Sequence, residues 1–123
     1  MGHRVARLES QIKDELSMIM LLRYHDREFG LITITSVKLS PDLKVAKVYF
    51  SVFDKEQRKN ALEKITAEVP AIRHELASKI RVRFMPELRF FVDDTSDYVE
   101  KIEGLLKQIH KNDNQTGNEL QGN

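Results

Sequence analysis

Four histidines, His3, His25, His74 and His110, have side chains suited to acid–base or metal chemistry, but they are scattered along the chain and none stands at a metal-ligand spacing. Metal ligation and general acid–base work both need groups that converge. His25-Asp26 has the residue types of an acid–base pair, yet adjacent side chains rarely meet productively, and a loop turn is the simpler reading. Asp93, Asp94 and Asp97 would suit a divalent cation; capping a following helix explains them with less. With no cysteine, disulfides, thiolate metal sites and cysteine nucleophiles are excluded. None of the five glycines builds a phosphate-cradling loop, so nucleotide hydrolysis is not expected. The residues point to a protein that is not an enzyme and has no metal, cofactor or small-molecule substrate.

What chemistry remains is cationic. Net charge is only +1, but it is unevenly spread. Between Arg73 and Arg89 five basic residues face two acidic ones, whereas Asp93 to Glu103 holds five acidic residues and Lys101 alone opposing them. Screening confines electrostatic reach to about 8–10 Å, so such clusters count for more than the total. Lys79, Arg81 and Arg83 alternate along the chain, which in an extended segment throws them to one side and leaves Val82 and Phe84 facing the core. Long cations in a row on a rigid edge are what phosphate contact requires. Arg4 and Arg7 lie one helical turn apart and offer a second patch. Lys47 and Arg89, with Tyr49 and Phe91, belong to an outward sheet face. Aromatic rings beside cations can stack on unpaired bases; an ordinary cross-strand pair is the preferred reading for these two.

These side chains need a scaffold, and 41% hydrophobic residues in 123 suffice for one core. The longest apolar run, Met18 to Leu22, is far too short to span a membrane, and no secretion signal or myristoylation motif is expected, since Ala6 stands where Ser or Thr is needed. A soluble cytoplasmic protein is the expectation. Val5, Leu8, Ile12, Leu16 and Ile19 predict an amphipathic helix over residues 4–23, and residues 24–30 a loop. Ile32 and Ile34 alternate in one register while Val37 and Leu39 fall in the other, so a β-bulge near Thr35-Ser36 is predicted. Ser40-Pro41-Asp42-Leu43 closes a hairpin onto a strand over 44–53. Asp54 and Gln57 resemble a capping box before the stripe Leu62, Ile65, Val69, Ile72, Leu76 and Ile80. Pro70 interrupts that stripe and predicts two helices joined by a kink. A third strand carries Leu88, Phe90 and Val92 inward, and a last helix follows with Val99, Ile102, Leu105, Leu106 and Ile109 as its stripe. Its final turn would hold Lys107, His110 and Lys111, complementing the helix dipole. Residues 1–111 read as one α+β domain and 112–123 as a disordered polar tail.

The order α-β-β-α-α-β, with a three-stranded sheet and an added C-terminal helix, is that of a type II KH-like core with a helix–kink–helix. Short blocks make the match specific: Arg4-Val5-Ala6-Arg7, Ser40-Pro41-Asp42-Leu43 with Ala46-Lys47-Val48-Tyr49, Ile72-Arg73, Arg81-Val82-Arg83, and Pro86-Glu87-Leu88-Arg89-Phe90 with Asp93-Asp94. From Arg4 to Ile109 the chain resembles the ribosome-binding factor A family. The Gly-x-x-Gly loop of general KH domains is missing, and Glu68-Val69-Pro70 stands where the family usually has Ala-x-Gly. The resemblance implies a monomeric bacterial factor that binds free small ribosomal subunits and assists late maturation of their ribosomal RNA. It implies RNA contacts from Arg4, Arg7, Lys47, Arg73, Lys79, Arg81, Arg83 and Arg89. A KH-like binder of other RNAs and a dimeric interaction domain without RNA are the alternatives.

Overall fold

The computed structural model describes residues 2–24, 29 and 31–120, with side chains described to residue 110. The His25-Asp26 pair lies outside them. Helix α1 spans Gly2–Arg23, strands β1 and β2 span Ile32–Leu39 and Val45–Val52, and a 3-10 turn covers Lys55–Gln57. Helix α2 spans Arg58–Lys79, strand β3 Glu87–Val92 and helix α3 Thr95–Leu120. Residues up to Asp93 form one compact unit and α3 a second. No helix among the described residues is long and apolar enough to cross a membrane.

Central strand β2 pairs antiparallel with β1 and parallel with β3. The β1–β2 register shifts between Ile34 and Ser36, so Thr35 is the bulged residue. That single insertion turns Ile32, Ile34 and Val37 onto one face, where all three are buried. The Thr35 hydroxyl donates to Asp93 Oδ2 at 2.6 Å, and the Asp93 N–H donates to the Phe50 carbonyl, tying the end of β3 to the bulge. Ile12, Leu16, Ile65, Ile72 and Leu76 from the two helices cover the same sheet face as Val48, Phe50 and Phe90. On the opposite face Thr33, Lys38, Lys47 and Arg89 are exposed.

The expected pair of helices is a single one: α2 runs unbroken with Pro70 inside it. Burial of Ile65 before the proline and Ile72 and Leu76 after it holds both halves on one core. Proline removes one backbone bond, and Pro70 sits on the exposed side, where water can satisfy the freed carbonyl. Pro70→Ala is expected to stabilise the chain by about 1–3 kcal/mol, partly offset by a freer unfolded state. Urea unfolding checks this, and a lower midpoint would mean that the proline sets the path of α2. The capping box is half realised: Asp54 Oδ1 accepts the Glu56 N–H at 3.0 Å, opening the 3-10 turn, while the Gln57 side chain accepts from Asn60.

Tyr24 and Phe29, the described residues of the 24–30 loop, belong to the core and meet edge to face, with centroids 6.3 Å apart. The Tyr24 hydroxyl donates to Glu68 Oε1, and Arg23 Nε lies 3.7 Å from the same oxygen. Glu68 therefore fastens the end of α1 to the middle of α2.

Helix α3 continues to Leu120, past the end expected at Lys111, so Lys107, His110 and Lys111 lie inside it rather than in its last turn. Val99, Ile102, Leu105, Leu106 and Ile109 are each about half exposed. The polar run that follows offers no apolar face to dock. Removing the residues after Lys111 is expected to leave the melting temperature unchanged, as calorimetry would test; a clear drop would show that they pack.

Candidate nucleic-acid interface

Three segments wall a groove of about 1070 Å³: the first turns of α1, the β1–β2 turn, and residues 81–86 between α2 and β3. Its cations are Arg4, Arg7, Lys44, Arg81 and Arg83; Asp42 is its one carboxylate. Arg4, Arg7, Arg81 and Arg83 are exposed and make no ion pair with any described residue. Leu8, Val82 and Met85 are half-buried against the core and give the groove an apolar floor.

Each wall is fixed to the next. The Leu39 N–H donates to Glu9 Oε2 at 2.8 Å, binding α1 to the hairpin. The Glu87 N–H donates to the Lys44 carbonyl at 2.8 Å, joining the hairpin to β3. Arg73 donates from Nη2 to the Met85 carbonyl at 2.6 Å and from Nε to the Pro86 carbonyl at 3.2 Å, holding the 81–86 segment against α2. The turn itself closes through the Leu43 N–H to the Ser40 carbonyl at 2.9 Å. Asp42 accepts from the Ser40 hydroxyl and then from the Lys44 N–H, which together hold its carboxyl below the ordinary range. A pre-formed row of cations loses little freedom when it meets phosphate.

The expected alternation of residues 81–86 holds for Val82 but not for Phe84. A bend at Arg83-Phe84 breaks the period of two, and Phe84 is 77% exposed in the groove instead of facing the core. Of the eight expected RNA-contacting residues, the structure thus brings Arg4, Arg7, Arg81 and Arg83 together. Arg73 holds the loop. Lys79 lies outside the groove, sharing a smaller pocket with Arg81, Asp14 and Glu15.

Lys47 and Arg89 are on the sheet face opposite the core, in register with each other. Lys38 is directly opposite Lys47 on the far side, so three cations cross the sheet in one row. Like charges in that relation destabilise a sheet; among the described residues only Arg89 of the three has an ionic partner, Glu87 at 3.2 Å. Lys38 was missed in the sequence because its place follows from register, and the bulge sets the register. Tyr49 and Phe91 stack with centroids 5.5 Å apart, the cross-strand pair preferred above.

An α+β domain of this order, with a cationic groove tied together by hydrogen bonds, has the features expected of an RNA-binding module. The family description that matches is ribosome-binding factor A, over residues 4–106. A ribosome-binding factor A of Desulfatibacillum aliphaticivorans is 40% identical over 107 residues, covering 86% of this chain and 87% of that one. The crystal structure of the Thermus thermophilus protein of that name is 30% identical, with a TM-score of 0.63 over 72% of this chain and 94% of that one. A homology model of a Thermus thermophilus ribosome-binding factor A, fitted into the cryo-EM map of a 30S complex with it, is 29% identical with a TM-score of 0.64 over the same shares. The chain belongs to the ribosome-binding factor A family.

Proposed function

We propose that this chain binds free small ribosomal subunits through the α1–hairpin–β3 groove and assists late maturation of their ribosomal RNA, leaving before translation. The observation that carries the reading is the convergence on one pre-formed groove of four arginines that make no ion pair with any described residue. Such guanidinium groups release phosphate counterions on binding, so affinity comes from the RNA backbone. Specificity comes from shape: contacts available in only one RNA arrangement shift the population toward it. The sheet face with Lys38, Lys47 and Arg89 in a row is a second surface for the same polyanion. The cost of that row to the sheet is offset when phosphate lies across it. Nothing in this scheme requires catalysis or a cofactor, and the protein acts as a cytoplasmic monomer whose binding domain is residues 1–111. Equilibrium binding of the purified chain to immature small subunits, mature small subunits and unrelated messenger RNA tests the proposal. Preference for immature subunits is expected; equal affinity for all three would replace it with a general RNA binder.

A further inference from the structure

We propose that the groove receives an unpaired nucleotide, with its base stacked on Phe84 and its phosphate held by the surrounding arginines. This rests on the reading of the groove as an RNA site and names the kind of RNA segment that fills it. Phe84 is 77% exposed, which leaves its ring without the burial that aromatic residues normally gain. The ring is not isolated: Arg83 Cζ lies over it, 5.5 Å from the centroid. A guanidinium on one ring face leaves the other for a base, and stays within reach of that nucleotide's phosphate. Elsewhere in the groove, Leu43 has φ 61°, a left-handed conformation that disfavours any residue with a side chain. The turn holds Leu43 in that conformation through its N–H bond to the Ser40 carbonyl, and the apolar side chain is 39% exposed in the groove where glycine would sit without cost. Two exposed apolar groups set among five cations and one carboxylate match a flat base on an anionic backbone. A paired helix hides its base faces, so this chemistry selects a loop, bulge or strand end. An acidic protein segment is the rival occupant.

The chain contains no tryptophan, so Phe84→Trp creates a single reporter. A single-stranded oligoribonucleotide should quench its emission, and a duplex of the same length should not. Phe84→Leu keeps apolar bulk but loses the stacking face; it should weaken single-strand binding about 5- to 150-fold. Because it removes no charge, the salt dependence should keep its slope. Unchanged single-strand affinity in Phe84→Leu, or equal quenching by duplex, overturns the stacking. If Arg81→Ala/Arg83→Ala flattens the salt dependence while Phe84→Leu binds normally, the RNA groove stands and the stacking falls. If neither variant alters RNA binding, both fall. Loss of an acidic peptide's binding in Phe84→Leu, with RNA binding intact, assigns the ring to a protein partner instead.

Discussion

Replacing Arg81 and Arg83 together by alanine is expected to weaken RNA binding at low salt and to flatten its logarithmic salt dependence by about 1.4–1.8 units. Both guanidinium groups are exposed in the groove and neither is held by a carboxylate of any described residue, so each can displace counterions. At about 0.7–0.9 units per contact, the gap between variant and unmodified chain should narrow about 7- to 12-fold between 50 and 200 mM salt. Folding should hardly notice, because surface changes of this kind usually stay within about 0.5 kcal/mol each. Arg73 is the contrasting control. Its guanidinium binds two backbone carbonyls of the groove wall, so Arg73→Ala should lower stability as well as binding. A double variant with an unchanged slope would remove Arg81 and Arg83 from the RNA site.

Glu68→Ala should destabilise the chain by about 1–3 kcal/mol, chiefly by leaving the Tyr24 hydroxyl buried without an acceptor. Tyr24 is only 5% exposed, and Glu68 is its partner across α1 and α2. Tyr24→Phe should cost less, because Glu68 is partly open to water and keeps Arg23 beside it. In the double variant the orphaned hydroxyl is gone, so the two losses should not add. Chemical unfolding of all three variants gives the cycle. Burial, then the Glu68 carboxylate, holds the Tyr24 phenol well above its ordinary value. The folded state thus keeps a proton that the unfolded chain releases above about pH 10. Stability should be flat with respect to this group up to about pH 10 and fall above it, and Tyr24→Phe should lose that fall. Additive losses, or alkaline behaviour unchanged in Tyr24→Phe, would contradict this role.

Wherever local pattern settles a position, the sequence already showed the structure. The switch of phase between Ile34 and Val37 places a bulge near Thr35-Ser36, because a one-residue insertion brings both pairs to one face, and the observed register puts it at Thr35. The stripe of α2 was equally plain, but its behaviour at Pro70 was not: local propensity argued for two helices, and burial of Ile65, Ile72 and Leu76 on one core made one. Phe84 was misplaced because strict alternation assumes a strand, and residues 83 and 84 bend. Arg73 was grouped with the free arginines because no sequence pattern reveals a bond to a loop carbonyl. Tyr24 and Glu68, 44 positions apart, meet only through packing of the two helices. Charge type was therefore readable, whereas which cations are free depended on tertiary hydrogen bonds.

The central claim, that the groove cations hold the chain on the small subunit, is tested most directly by sedimenting cell lysate in a low-salt gradient. The comparison is between the unmodified chain and a variant with Arg4, Arg7, Arg81 and Arg83 all replaced by glutamine, each checked for an unchanged melting temperature. The unmodified chain should travel with free small subunits and not with translating ribosomes, and the variant should remain at the top. If the folded variant still travels with free small subunits, the groove is not what binds them.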